Sequence, residues 1–193
     1  MLYRAFPLVV GAGATEPGGA LYVAREAQGS GRHDNPERYG ALYVSASAES
    51  AVAERIQAFR GQALTAAALR RPEGGRYALA AIDDSELPPI IDLDDPRELV
   101  RRKLRPSEVA TRRRSVTQAI ALRVFQERRT NAGLSWWSAL EASWTNVTLF
   151  EERAARRLRV MEPVEILSLD HPALRAAGEV LGIAVSDERR ERS

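Results

Sequence analysis

The 193-residue chain contains no cysteine, which removes both a disulfide framework and a thiolate metal site. Histidine is almost as scarce. His33 and His171 are the only two, which argues against a protein-bound zinc or iron centre, so no metal ligand is assigned. Long apolar runs are missing too. The opening MLYRAFPLVVGAGATEPGG holds an apolar stretch far too short to span a bilayer, and it lacks the long apolar core of a secretory signal. The expectation is a cytoplasmic protein with no membrane contact. Lysine is nearly absent: Lys103 is the only one, so all but one of the 28 basic residues are arginine.

What remains is ordinary for a globular protein, with 45% apolar and 28% charged residues. The length suffices for one domain with its own core. Net charge is +2, yet the pI is about 9.3. Arginine grips phosphate in a bidentate fork better than lysine does. A GC-rich genome gives the same bias, so composition alone assigns nothing.

Along the chain, residues 2–6 alternate as an opening strand, and the glycine-rich 11–19 forms a flexible loop. Residues 20–24 suit a short strand or a helix start, and residues 25–40 a surface loop over a site. ALYVS at 41–45 reads as a strand. Ser47 is a good N-cap for a helix over 48–60 that ends near Gly61. Residues 63–69 and 76–82 read as strands around the turn RPEGG. IIDLDDPREL reads as a strand end and then a helix from Asp95-Pro96. An arginine-rich connection over 101–114, interrupted by Pro106, precedes a helix over 115–129. Ile120, Val124 and Phe125, with Val116 and Ala121, give that helix an apolar face. Strands follow at 134–140 and 146–150, then a short charged helix, a late strand broken by Pro163, and a last helix over 171–181 capped by Asp170. The tail SDERRERS reads as charged and frayed. No repeat or linker is evident. Strands and helices mix without regular alternation, which predicts a single α+β domain.

Several motifs fail on inspection. LVVGAGATE begins like a dinucleotide fingerprint, but Glu16 stands where the third glycine belongs, and Pro17-Gly18-Gly19 prevents the helix that would hold the pyrophosphate. No Walker-type phosphate loop is present. Ser138 has no recognisable His/Asp partner for a triad.

A different constellation fits a defined chemistry. Breaking a nicotinamide–ribose bond expels a neutral base and passes through an oxocarbenium-like ribose. A carboxylate stabilises that charge, arginines clamp the pyrophosphate, an aromatic ring stacks, and a hydroxyl orients the substrate. Glu54 is the candidate carboxylate. On its helix Ala48, Val52, Ile56 and Phe59 form the apolar stripe, and Glu54 falls about 200° from Val52, beside Ala51 and Ala58. Helix geometry alone favours a solvated surface glutamate. Arg4 and Arg32 are candidate phosphate or ribose ligands, or plain surface charges. Tyr43 faces either a ligand or the core. Ser138, after Trp136-Trp137, is either a substrate contact or a turn hydroxyl.

Four stretches carry a resemblance to the RES-domain family, named for its Arg, Glu and Ser. They are YRAF, GRHDNPERYGALYVSASAESAVAE, RPSEVATRRRSVTQAIA and LSWWSALEASWTNVTLFEERA, with IIDLDD between them, in the expected order over most of residues 2–155. The family's arginines match Arg4 and Arg32, its strand tyrosine Tyr43, its helix glutamate Glu54 and its serine Ser138. A recurrent asparagine matches Asn146. His33 stands where many members carry an aromatic residue, and the Trp136-Trp137 pair reads as core.

The resemblance implies an ADP-ribosyltransferase-like split β-sheet flanked by helices, with a RES domain over 1–185 and the charged tail at 186–193. It implies a toxin of a toxin–antitoxin pair that degrades NAD+ as its substrate, by phosphorolysis with inorganic phosphate or by hydrolysis, with no bound prosthetic group. In that picture Glu54, Arg32 and Tyr43 are catalytic, while Arg4, Arg32, Tyr43, Ser138 and Asn146 bind the dinucleotide. The implied partner is a helix-turn-helix antitoxin, which alone would touch DNA, and a homodimer within a larger complex is compatible. Two alternatives are a protein-modifying ADP-ribosyltransferase and a nucleic-acid-binding module using Arg101, Arg102, Lys103, Arg105 and Arg112–Arg114. The second predicts steep salt dependence but lacks interleaved aromatics.

Overall fold

The opening strand forms and runs longer than its alternation suggests: β1 spans Leu2–Leu8, with Leu2 and Phe6 buried on one face. The computed structural model describes residues 1–70, 75–127 and 130–186. β1 joins β2 (Ala41–Ser45), β4 (Arg76–Asp83), β5 (Ile90–Asp92), β6 (Gly133–Trp137), β7 (Thr145–Phe150) and β8 (Arg159–Ile166) in a seven-stranded sheet. Its order is β5-β6-β7-β2-β1-β4-β8. Only β5 and β6 run parallel. A separate parallel pair joins β3 (Ala63–Leu64) to β9 (Ala184–Val185).

The sheet is nearly two sheets. β1 pairs β4 from Leu2↔Ile82 to Leu8↔Arg76, and β2 pairs β7 from Ala41↔Phe150 to Ser45↔Asn146. Between β1 and β2 the only pair is Tyr3↔Ser45. Beyond that rung the strands diverge, which is the split expected of the α+β fold class.

One face of the sheet is continuous across the split. Leu2, Phe6, Leu42, Val44, Ala78, Ala80, Ile82, Val147 and Leu149 form one core there, covered by Ala20, Leu21, Val23, Ala154 and Leu158. The opposite face carries two separate helical layers. On the β2-β7-β6 side, α2 (Pro96–Arg102), α3 (Pro106–Ala110) and α4 (Arg114–Glu127) pack Leu99, Val109, Ile120, Ala121 and Val124 against Leu134, Trp136 and Phe150. On the β1-β4 side, α1 (Ala48–Ile56) and α6 (Pro172–Leu181) pack Val52, Ile56, Leu174 and Ala177 against Leu79. A short α5 (Glu151–Ala154) follows β7. The two layers leave a cleft between them, directly over the split.

Several local expectations need correction. Residues 20–24 form no strand or helix, because their carbonyls are taken up otherwise: Arg4 bonds the carbonyls of Ala20 and Tyr22, and Leu21 N–H bonds Ala14. The glycine-rich 11–19 is bonded to itself, with Gly13 N–H on Glu16 and Val9 N–H on Gly18. Residues 25–40 do not lie on the surface throughout, since His33, Asp34 and Tyr39 are buried. Of 63–69 only Ala63–Leu64 is strand, and 66–69 is a 3-10 turn. Most of the RPEGG turn lies outside the described residues. Pro106 begins α3 instead of interrupting a connection, as proline at the first helical position can. Pro163 does not end β8, but it sits in the irregularity where the pairing with β4 shifts from Leu79↔Glu165 to Ala81↔Met161, as suits a proline in an edge strand. The cap of α6 is His171, whose Nδ1 accepts from Ala173 N–H, while Asp170 forms an ion pair with Arg175. The end of the helix expected over 115–129, and all but Ser186 of the expected tail, also lie outside the described residues.

Candidate active site

The cleft over the split has a volume of about 650 Å³, within the usual range for small-molecule sites. Glu54, Arg4, Arg32, Tyr43 and Asn146 all line it. Residues far apart in sequence thus meet because β1, β2, β7 and α1 converge at one place.

Glu54 owes its position to α1. Ser47 caps that helix through its Oγ, which accepts Ser50 N–H at 3.1 Å, as its sequence position predicts. Val52 and Ile56 are fully buried, so the helix cannot rotate, and Glu54 is directed into the cleft. Glu54 is exposed by area, yet its carboxylate is not freely solvated. Oε1 accepts from Asn146 Nδ2 at 2.8 Å and from Ser138 Oγ at 3.3 Å, and Oε2 accepts from Gln57 Nε2 at 2.9 Å. Asn146 is itself fixed, because its Oδ1 accepts from Ser45 Oγ at 2.8 Å and Ser50 Oγ at 3.0 Å. Those bonds leave the Asn146 amide no choice but to donate towards Glu54. Three side-chain donors therefore converge on the Glu54 carboxylate.

Ser138 is buried behind Glu54 and does not line the cleft. Its hydroxyl also accepts Leu140 N–H at 3.1 Å. Ser138 and Asn146 both hold Glu54, and of the two Asn146 also lines the cleft.

Arg4 and Arg32 are anchored by one device on opposite walls. Arg4 Nη1 donates to the carbonyls of Ala20 (2.6 Å) and Tyr22 (2.9 Å), and Arg32 Nη1 to those of Val109 (2.9 Å) and Thr111 (3.0 Å). Each keeps the rest of its guanidinium for a ligand. Burial, then the nearby Arg55 charge, brings Arg4 down to about 10. Burial, then Arg114, lowers Arg32, and Glu54 partly restores it. Arg55, Arg60, Arg112 and Arg114 also line the cleft, so six arginines face one carboxylate. Such a field selects an anionic ligand.

The Gly-Arg turn before β2 is the most tightly bound part of the site. Asp34 Oδ2 accepts Gly29 N–H at 2.8 Å and Gly31 N–H at 2.7 Å. Tyr43 Oη donates to Asp34 Oδ1 at 2.6 Å and accepts His33 N–H at 2.8 Å. From α4, Gln118 Nε2 donates to the carbonyls of Gly29 and Gly31, and Thr117 Oγ1 to that of Arg32. Burial, then the bond to Asp34, pushes the Tyr43 hydroxyl well above its ordinary range. His33 is buried, with Nδ1 2.9 Å from Thr148 Oγ1 and its ring edge-on to Trp136 at 4.5 Å. Burial, then the Arg32 and Arg114 charges, holds it well below 6.5. Trp136 belongs to the core, as expected of the pair, and it also lines the cleft.

Sequence reasoning missed Asp34, Ser45, Ser50, Thr117 and Gln118, which act through other residues and leave no local pattern. It also missed Arg55 and Arg60, which read as ordinary helix-surface charges. Arg112 and Arg114 were visible only as part of an arginine run. Part of that run is tied up within the protein. Arg102 is buried and paired with Glu98 and Glu127, and Arg101 is paired with Glu98.

Comparisons with known proteins agree with this architecture. A family model described as RES domain matches residues 2–171. Among solved structures, one titled as the M.tuberculosis MbcT-MbcA toxin-antitoxin complex matches with a TM-score of 0.61 and 20% identity, covering 94% of this chain and 88% of that one. At that identity the likeness is one of fold. No curated protein matches.

Proposed function

This chain belongs to the RES-domain family, and on that footing we propose that it cleaves the nicotinamide–ribose bond of NAD+ and acts as the toxin of a toxin–antitoxin pair. The observation that carries the reading is Glu54, held by Asn146 and Ser138 over the split in the sheet, between the anchored Arg4 and Arg32. Arg4 and Arg32 would take the pyrophosphate from the two walls, as guanidinium forks do. The Tyr43 ring and Trp136 supply an aromatic wall for the base.

As the C1′–N bond breaks, its electron pair goes to the pyridinium nitrogen, and nicotinamide leaves neutral. The ribose is left with oxocarbenium character, which the Glu54 carboxylate stabilises. The acceptor oxygen then bonds C1′. Water gives ADP-ribose and one proton. Inorganic phosphate gives the phosphorylated ADP-ribose. The reaction needs no bound prosthetic group. The antitoxin partner would be a helix-turn-helix protein, with DNA contacted through it alone. We place the reaction in the cytoplasm, where NAD+ is present. Among the described residues, no helix is long and apolar enough to cross a membrane.

The test is incubation of the purified protein with NAD+, with and without phosphate, read by chromatography and mass. The expected result is nicotinamide release that falls at least about a hundredfold in Glu54→Gln, the scale of losing one charge-stabilising group. Full activity of that variant would remove Glu54 from its role. Label appearing on a protein in place of free ADP-ribose would mark a protein-modifying transferase instead.

A further inference from the structure

We infer that Tyr43 and Asp34 form a latch that presets the Gly-Arg turn for anion binding, so that the Tyr43 hydroxyl acts on the protein and not on the substrate. Asp34 is thereby a positioning residue for Arg32, and Tyr43 offers the ligand only its ring. The inference rests on the reading of the cleft as an NAD+ site.

A phenol has one proton to give. In Tyr43 that proton is committed to Asp34 Oδ1 at 2.6 Å, and the oxygen accepts His33 N–H at 2.8 Å. Two bonds to a single turn leave the hydroxyl neither a proton for a leaving group nor a free approach to the ribose. Asp34 is only 5% exposed, and its carboxylate accepts three hydrogen bonds, from Tyr43, Gly29 and Gly31. A buried carboxylate persists where it is hydrogen-bonded in this way. A Cβ on Gly31 would stand 2.5 Å from Asp34 Oδ1, so any side chain there would push that carboxylate away. Between these anchors sits Arg32. Thr117 bonds its carbonyl, Asp34, Gln118 and Tyr43 bond the main chain of the neighbouring Gly29, Gly31 and His33, and its Nη1 is held by Val109 and Thr111. The ordering of the turn is thus complete before a ligand arrives, which is what lowers the cost of binding.

Asp34→Asn puts an amide N–H2 among groups that all need an acceptor. Tyr43→Phe keeps the ring and removes the hydroxyl. Both variants, and their double, would be measured for NAD+ turnover, for inorganic pyrophosphate affinity by calorimetry, and for amide exchange at Gly31 and His33. The expected result is KM raised about tenfold in each single variant with kcat within about threefold, and a double variant no worse than the singles, as for two parts of one device. Pyrophosphate affinity should fall in step, and the Gly31 amide in Asp34→Asn and the His33 amide in Tyr43→Phe should lose protection. A hundredfold loss of kcat in Tyr43→Phe at unchanged KM, with Asp34→Asn spared, would overturn the inference, because the hydroxyl would then be acting on substrate. Unchanged KM and pyrophosphate affinity in both variants would overturn it too. If Asp34→Asn does not fold, Gly31→Ala displaces the same carboxylate and is held to the same expectation. If the wild type releases no nicotinamide, the NAD+ reading fails separately, and amide exchange with pyrophosphate affinity still decides the latch.

Discussion

At the scale of single residues, the site is organised by side chains that act through one another. Ser45 and Ser50 hold Asn146, and Asn146 holds Glu54. Asn146→Ala leaves two buried hydroxyls without their acceptor and one carboxylate oxygen without its nearest donor. The expected cost is about 1–3 kcal/mol of stability, seen as a lower Tm, together with a kcat reduced by more than about tenfold. His33 gives a pH prediction whose sign is fixed. Its folded pKa lies well below 6.5, so the unfolded chain binds the proton more readily. The contribution of neutral His33 to stability is therefore complete above about pH 6.5 and declines as pH falls towards its folded value. Thermal melts between pH 7.5 and 5 should show that decline, and His33→Phe, which keeps an aromatic ring beside Trp136, should flatten it.

At the scale of elements, α1 is the part most legible in sequence. Its cap at Ser47 and its buried Val52 and Ile56 are local signals, and both hold in the structure. Ser47→Ala should cost about 1 kcal/mol, measured by denaturant midpoint. The same sequence logic places β2, β7 and α2, with Asp95 as its cap. It fails where tertiary contacts override local pattern. Residues 20–24 look like a short strand or the start of a helix, but the Arg4 guanidinium takes the Ala20 and Tyr22 carbonyls. The polar, glycine-containing stretch 25–40 looks like surface, but Asp34 and Tyr43 draw it inward. Asp170 looks like a cap, but the ring nitrogen of His171 does that work. Arg4, Arg32, Tyr43 and Glu54 could be picked out as side chains, with the family resemblance doing most of the selecting. Their common cleft depends on strand order, and no single segment encodes that.

At the scale of the whole molecule, charge is distributed unevenly. A net charge of +2 conceals a cleft with six arginines and one carboxylate. Attraction of an anionic dinucleotide to such a cleft weakens with salt, because the rim arginines Arg55, Arg60, Arg112 and Arg114 are exposed. Raising ionic strength from 0.05 to 0.5 M should raise KM several-fold while kcat moves little, as steady-state kinetics on NAD+ would show.

Mechanically, the sheet is a plate scored along one line. Tyr3↔Ser45 is the only rung across that line, and the cleft lies along it. A molecule gripped by Arg4 on one side and Arg32 on the other would act as a stitch, stiffening the plate where it is thinnest. The stitch would make the two halves of the sheet open together instead of separately.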